Sequence, residues 1–224
     1  MAVVNLWEML LDFLFPPHCP LCHAYVEKKG GWCPACLTQA LQPHRLPLSV
    51  PMRAFLADAW ALGLYKDSLR DLIRHLKYQK QRSNLPYIAS FLQAAAGEAQ
   101  VKELLSGMDM AIAVPLYPAK EKQRGFNQAE LIFGEFLTSQ HIPMRRLLKR
   151  TRATRPMYEL SEQERTENLK NAFAVTEAKA LEGKNILLVD DILTTGATMA
   201  ECARVLKAAG AKSVCALVLA SDHR

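Results

Sequence analysis

The sequence predicts an α/β protein in which helices flank a parallel sheet and a small cysteine-rich module precedes it. Two apolar runs, 185–189 and 213–219, enclose a helical pattern over 198–209, as in a strand–helix–strand unit. A third apolar run over 110–114 suits another buried parallel strand. Segment 16–51 differs in composition, because it holds four clustered cysteines and seven of the twelve prolines.

A change in composition near residue 52 predicts two domains, residues 1–51 and residues 52–224. The first contains an N-terminal helix, the cysteine module and a linker. In the second, the spacing of apolar residues predicts further elements before the strand–helix–strand unit. These are a strand over 58–65, a helix over 67–78, a helix within 85–105 and a helix whose apolar face begins at Phe126.

The composition is that of a folded protein that favours anionic partners. The 224 residues are 50% hydrophobic and carry a formal charge of +6, which suits a phosphate-rich small molecule, a membrane surface or DNA. The apolar start of the chain lacks Lys and Arg and is interrupted by Glu8 and Asp12, so it predicts a short amphipathic helix rather than a signal peptide. No apolar stretch is long enough to span a bilayer, and we expect a cytoplasmic protein without a transmembrane segment.

Two C-x-x-C turns, Cys19–Cys22 and Cys33–Cys36, predict a metal site. Each turn can place two thiolates on one ion, and a tight hairpin at Gly30–Gly31 would bring the turns together. Four cysteines complete a tetrahedral site, so the expected ion is structural zinc rather than catalytic zinc. Redox thiols or a disulfide pair are the alternatives. The remaining cysteines, Cys202 and Cys215, lie on predicted core faces.

The residues that follow the apolar run 185–189 predict a phosphate–sugar site. Ligands of open parallel sheets lie beyond the carboxyl ends of the strands, where Asp190 and Asp191 are found. Small and hydroxyl-bearing residues then lead into a helix, whose N-terminus favours a phosphate: Thr194, Thr195, Gly196, Ala197 and Thr198. An ordinary helix corner would explain one of these residues but not all of them. The nucleotide P-loop and the dinucleotide pattern G-x-G-x-x-G are both absent.

Residues 186–198 resemble the motif by which type I phosphoribosyltransferases bind phosphoribosyl pyrophosphate (PRPP). The resemblance implies the type I phosphoribosyltransferase-like fold, with a parallel sheet flanked by helices. It also implies that Asp190 and Asp191 contact the ribose 2- and 3-hydroxyls and that residues 194–198 bind the 5-phosphate. Mg²⁺ is then expected with PRPP, on the pyrophosphate and ribose oxygens.

A basic segment follows the predicted strand 110–114. Its cations, Lys120, Lys122 and Arg124, suit a pyrophosphate, although a solvated loop with ordinary surface lysines is the alternative. Another polar segment, 147–171, is either a mobile hood that closes over the substrate or a solvated helix and loop.

Several motifs together resemble the ComF family of bacterial proteins, which is associated with DNA uptake in natural competence. They are Phe15-Pro-Pro-His-Cys-Pro-Leu-Cys22, Leu76-Lys77-Tyr78, Arg124-Gly-Phe-Asn-Gln128 and the stretch from Leu160 to Phe173. The resemblance runs from about residue 11 to residue 219. One position departs from the family, because Met157 stands where a glutamine is usual.

Two classes of function remain open at this point. As an enzyme, the protein would transfer ribose 5-phosphate from PRPP to an acceptor and release pyrophosphate, a reaction for which we nominate no catalytic nucleophile. As a binding protein, it would sense PRPP or act on nucleic acid, with single-stranded DNA and a helicase-like competence partner as candidates. The candidate DNA contacts, Arg70, Arg74, Lys77 and Arg82, form a basic stretch near Tyr65 and Tyr78. A solvated helix face is the alternative interpretation of that stretch.

Overall fold

The fold is described from a computed structural model, which covers residues 14–78, 82–154 and 162–223. Its strands are β1 (His44–Arg45), β2 (Asp58–Leu64), β3 (Met110–Ala113), β4 (Leu148–Arg150), β5 (Phe173–Val175), β6 (Asn185–Leu193) and β7 (Ser213–Ser221). Its α-helices are α1 (Pro34–Ala40), α2 (Val50–Arg53), α3 (Asp67–Tyr78), α4 (Leu85–Ala95), α5 (Ala99–Ser106), α6 (Pro118–Arg124), α7 (Gln128–Ser139), α8 (Glu162–Leu169) and α9 (Ala197–Ala208).

Five strands form the central sheet in the order β1-β2-β7-β6-β3. Strands β2, β7, β6 and β3 run parallel, and only β1 is antiparallel to its neighbour. The carboxyl ends of the parallel strands therefore meet at one edge, where the segments leading into α3, α6 and α9 begin. Strands β4 and β5 form a separate antiparallel pair. The predicted α/β class is confirmed.

Apolar periodicity predicted most elements to within a few residues. Helix α3 has the predicted bounds, and its apolar stripe is buried at Leu69, Leu72, Ile73 and Leu76. The region 85–105 forms two helices rather than one, because the chain leaves helical geometry around Gly97 and turns into α5. Strand β6 is longer than predicted and continues to Leu193.

The cysteine module packs on the same hydrophobic core as the sheet. Cys19, Val26, Trp32 and Cys36 are buried in the cluster that also contains α3, α4 and α7. Trp32 Nε1 donates a hydrogen bond of 2.9 Å to the carbonyl oxygen of Tyr87 in α4. The segment predicted as a linker is equally fixed, since β1 pairs with β2 and α2 contacts α9.

No helix in the described part of the chain is both long and apolar enough to cross a membrane.

The contact between the module and α4 predicts that Gly30→Ala destabilises the protein strongly. Gly30 has a φ of +80°, and a Cβ there would lie 2.3 Å from Pro86 Cβ and 2.7 Å from the Pro86 backbone carbon. We expect a loss of about 2 kcal/mol or more in the free energy of unfolding, measured by chemical denaturation. Gly183→Ala is the matched control, because Gly183 has a φ of +70° but open space around it, so only about 1 kcal/mol of backbone strain is expected. Equal losses in the two variants would contradict this docking.

Candidate functional site

The two adjacent acids lie inside β6. They were expected to follow the strand, but β6 stays paired with β7 as far as Leu193, with Asp190 opposite Val218. The two carboxyl groups interact with each other, but their other neighbours differ. Asp191 contacts side chains of α3 and α7, whereas Asp190 lines the cleft after β6.

Asp191 is held by two side chains from different helices. Its Oδ2 atom accepts from Lys77 Nζ of α3 at 2.7 Å and from Gln128 Nε2 of α7 at 3.1 Å. The Asp191 side chain is 4% exposed and that of Lys77 is 19% exposed. Burial alone would lower the pKa of Lys77. The interaction with Asp191, and more weakly that with Asp190, outweighs burial, so the pKa of Lys77 is raised. The ammonium therefore stays charged and compensates a buried carboxylate.

Asp190 lines the cleft formed by the turn after β6. Burial, and then the adjacent Asp191, raise the pKa of Asp190 well above the usual value for aspartate. The cleft offers about 60 Å³, the volume of roughly two water molecules, which suits a phosphate group rather than a whole ligand. Its other lining residues are Ile192, Leu193, Thr194, Thr195, Gly196, Ala197, Thr198 and Met199, so the structure brings every predicted phosphate residue together.

The turn depends on Gly196, which has a φ of +76° at the start of α9. A Cβ at this position would lie 2.1 Å from the Met52 sulfur, so the Met52 side chain of α2 packs directly against the turn. His223 lies on the other side of the turn, with its Nε2 atom 2.7 Å from the carbonyl oxygen of Thr194. The backbone at the start of the twelve-residue helix α9 is therefore held on both sides. This fixes the N-terminal amides of the helix, which are the groups that favour a phosphate.

Four cations from three separate segments converge near the acids. Burial lowers the pKa of Lys120, and Arg124, Arg150 and Lys77 lower it further, while Asp191 raises it. Lys120 and Arg124 are one turn apart on α6, and Arg150 belongs to β4. Burial also lowers the pKa of Arg150, and Asp190 is close enough to oppose that effect.

Both guanidinium groups have a buried N–H group to which none of the described residues offers an acceptor. They are Nη1 of Arg124 and Nε of Arg150. Arg150 is otherwise fixed, because its guanidinium lies 5.5 Å from the ring centre of Phe173 and donates to Thr154 Oγ1. A buried donor that lacks a partner costs free energy unless a water or ligand accepts from it.

The structure separates the residues that were grouped by sequence. The segment predicted as a basic loop forms helix α6. Lys120 and Arg124, four residues apart, share one face of this helix, whereas Lys122 lies two residues from each and belongs to the opposite face. The expectation that Lys77 lies at the surface is wrong, since Asp191 binds it within the site. Arg70 and Arg74 are exposed on α3, whereas the side chain of Arg82 lies outside the described residues, as do Met157 and the rest of segment 155–161 of the predicted hood.

Sequence reasoning assigned no site role to Gln128 or Arg150 individually. For Lys77 the signal was present, because Lys77 lies four residues after Ile73 and therefore continues the buried stripe of α3. Arg150 carried no comparable signal, since its position depends on the pairing of β4 with β5, more than twenty residues away along the chain.

The cysteine cluster has the geometry of a four-thiolate metal site. The sulfur atoms of Cys19, Cys22, Cys33 and Cys36 all lie within 4.8 Å of one another. In a tetrahedral zinc site with bonds of about 2.3 Å, the sulfur atoms would be ~3.8 Å apart, so only small movements are needed. Cys22 and Cys33 are already separated by 3.6 Å.

The electrostatics of the cluster favour a cation. Burial opposes ionisation of Cys19, but backbone N–H groups of Cys22, Cys33 and Leu21 outweigh it and lower the pKa of Cys19 to about 6. Burial, followed by interactions with the other three cysteines, raises the pKa of Cys36. Thiolates at this spacing repel one another, and a bound divalent ion would remove that repulsion. By contrast, Cys202 and Cys215 are buried in the core as predicted.

Family models match both parts of the chain. A phosphoribosyl transferase domain matches residues 135–224, which include the acids and the phosphate turn. A double zinc ribbon domain matches residues 10–47, which include the four clustered cysteines. The chain thus carries a structural zinc-ribbon module in front of a phosphoribosyltransferase-type domain.

Two relatives extend this likeness over most of the chain, and a third matches part of it. Competence protein F of Haemophilus influenzae is 28% identical over 200 residues, which is 88% of this chain and 82% of the relative. DNA utilization protein YhgH of Shigella flexneri is 30% identical over 201 residues, covering 88% of this chain and 86% of the relative. Competence protein ComFC of Bacillus subtilis is 36% identical over 96 residues, 42% of this chain and 37% of the relative. The similarity therefore spans both the cysteine module and the sheet, and the chain belongs to the ComF family.

Proposed function

We propose that this protein binds PRPP together with Mg²⁺ at the carboxyl edge of β6 and β3 and acts in DNA uptake. One observation carries the proposal. Four cations lie near an acid pair beside a turn suited to phosphate, and two of these cations have buried N–H groups that find no acceptor in the described part of the chain. PRPP has the complementary groups, because its pyrophosphate needs donors and cations while its sugar hydroxyls need acceptors.

Each part of the ligand has a candidate partner in the site. The 5-phosphate would bind the turn 194–198, and the pyrophosphate would bind Lys120, Arg124 and Arg150. Asp190, which faces the cleft, fits Mg²⁺ because this ion prefers carboxylate and phosphate oxygens. When bound, Mg²⁺ would neutralise charge on the pyrophosphate.

If the protein is an enzyme, the bond between ribose C1 and pyrophosphate breaks and C1 bonds to an acceptor. The transition state resembles an oxocarbenium ion with negative charge growing on the pyrophosphate. Lys120, Arg124 and Arg150 would stabilise that charge through fixed donors, which requires no covalent nucleophile. The same residues would serve equally to hold PRPP in a protein that only senses it. Release of pyrophosphate in the presence of a panel of acceptors is expected of the enzyme and not of the protein that only senses PRPP.

Asp190→Asn should weaken binding of PRPP at least ten-fold in the presence of Mg²⁺, measured by titration calorimetry. The amide keeps the shape of the side chain but removes the carboxylate oxygen that would bind Mg²⁺. The free energy of unfolding should stay constant or rise, because burial and Asp191 both oppose ionisation of Asp190. Asp222→Asn, at an exposed position, should change neither property. An unchanged dissociation constant in Asp190→Asn would place the ligand elsewhere.

The purified protein should contain about one zinc ion per chain, held by the four clustered cysteines. We expect Cys33→Ser to lose zinc and to lower the melting temperature, because a thiolate ligand is removed and three sulfurs remain close together. Cys215→Ser, in the core but outside the cluster, should retain zinc. Metal analysis together with thermal melting checks both statements. A metal-free protein with an unaltered melting temperature would count against the site.

Binding of single-stranded DNA is a second candidate function. Its similarity to a DNA utilization protein and to a competence protein favours it. Arg70 and Arg74 lie exposed on α3, and the exposed ion pair of Arg70 with Asp71 is too weak to prevent a phosphate contact. Lys77 no longer belongs to this surface, because it is bound by Asp191. A helicase-like partner could use the same exposed face.

Replacing Arg70 and Arg74 with alanine should weaken binding of single-stranded DNA. The slope of the logarithm of the binding constant against the logarithm of the salt concentration should fall by the amount that corresponds to about two phosphate contacts. The effect should be similar for different DNA sequences, because phosphates carry no sequence information. Lys102→Ala with Lys179→Ala removes the same charge at exposed positions elsewhere and serves as the control. The surface is misassigned if both pairs of substitutions lower the affinity equally.

A further inference from the structure

Lys120 is an exposed lysine that lies among other cations. It belongs to α6, and Arg124 follows it one turn later on the same face of that helix. Its electrostatic neighbours include three cations, Arg124, Arg150 and Lys77, and one acid, Asp191. Among the described residues Lys120 has no ion-pair partner of its own, because Asp191 is bound by Lys77. The Lys120 ammonium is therefore repelled by more charges than attract it.

This environment favours the neutral amine of Lys120, which is the form that acts as a nucleophile. Partial burial of the ammonium and then the three neighbouring cations lower the pKa of Lys120, and Asp191 opposes them only in part. At neutral pH the neutral amine is thus a larger fraction of Lys120 than of an ordinary surface lysine. The amine can also be reached from solvent, because Lys120 is an exposed residue. A lysine beside other cations is activated as a nucleophile in the same way in enzymes.

The three neighbouring cations can attract an anion, but they do not share this reactivity. A guanidinium stays protonated in proteins, so Arg124 and Arg150 keep their positive charge. Asp191 holds Lys77 as an ammonium at 2.7 Å and raises its pKa, and the Lys77 side chain is only 19% exposed. The cluster therefore combines one accessible, reactive amine with two permanent charges.

An acyl phosphate has the chemistry that suits this combination. Its phosphate is anionic and is attracted by Arg124 and Arg150, while its carbonyl carbon is an electrophile. The neutral amine of Lys120 attacks that carbon, so a bond from nitrogen to carbon forms and the bond from the carbonyl carbon to the phosphate oxygen breaks. The leaving phosphate takes the electron pair of the broken bond, and the proton from the amine passes to phosphate or water. The products are an amide and inorganic phosphate, and no oxidant or reductant takes part.

We propose that Lys120 is a site of acylation by acyl phosphates, which the neighbouring arginines attract to its amine. The amide is neutral, so the modification removes one positive charge from the cluster. The reaction needs only the cluster of cations and is independent of PRPP binding. If the proposed function holds, acylation would also weaken binding of PRPP, and the supply of acyl phosphate would regulate the site.

The test is incubation of the purified protein with acetyl phosphate at neutral pH, followed by peptide mass spectrometry. Lys120 should be acetylated about ten-fold faster than Lys122, an exposed lysine on the opposite face of the same helix. Arg124→Gln should reduce this preference about three-fold, because one attracting charge is lost. Lys102→Gln removes a charge at an exposed position on α5 and should preserve the preference. Inorganic pyrophosphate should slow acetylation of Lys120 but not that of Lys122.

A neutral reagent, the N-hydroxysuccinimide ester of acetic acid, separates attraction of the phosphate from reactivity of the amine. It carries no phosphate, so its preference for Lys120 over Lys122 should be smaller than that of acetyl phosphate. The inference is overturned if acetyl phosphate modifies both lysines at the same rate, if pyrophosphate does not protect Lys120, or if the two reagents show the same preference. Thermal melting shows whether Arg124→Gln is folded, and the comparisons in the unmodified protein decide the question if it is not. Failure to bind PRPP would reject the proposed function and leave this inference standing.

Discussion

The ion pair between Lys77 and Asp191 is the constraint on which the arrangement of the site depends. A buried carboxylate costs several kcal/mol unless it is paired and hydrogen-bonded. The pair joins the end of α3 to β6, and the same carboxylate oxygen joins β6 to the start of α7 through Gln128. Two helices that follow different strands are thereby fixed at the carboxyl edge of the sheet, where the phosphate turn begins. Removing either charge would leave the other buried and uncompensated.

The two adjacent acids have different neighbours. Asp191 is satisfied by side chains of α3 and α7, whereas Asp190 lines the cleft, where burial opposes its ionisation. The four cations outnumber these two acids, so the region retains positive charge. Such a site favours a polyanion that also brings its own divalent ion to Asp190. This charge balance suits the proposed ligand, a magnesium-bound pyrophosphate ester, better than a free metal ion or a neutral sugar.

Apolar periodicity was enough to predict the strands and helices of the sheet domain, and local motifs were enough to predict the turn 194–198 and the cysteine cluster, since each depends on residues close together in the chain. The same periodicity would have placed Lys77 on the buried face of α3, but its neighbours Arg70 and Arg74 suggested a single basic surface. Residues joined by tertiary contacts were not predictable in this way. Arg150 is positioned by the pairing of β4 with β5, and Gln128 becomes a site residue only because α7 packs against β6. The length of β6 was underestimated because two acids resemble the end of a buried strand.

The zinc module connects to this site through packing rather than through direct contact. Trp32 is bonded to the backbone of α4 and lies 5.9 Å from the ring of Phe91 on the same helix. Helix α4 in turn packs against α7, which presents Gln128 to Asp191. A metal that stabilises the module thus stabilises the framework that orients the amide and its carboxylate. Since any ligand that binds only the folded state adds to its stability, zinc at one end of this path and the proposed ligand PRPP at the other would both favour the same packed arrangement.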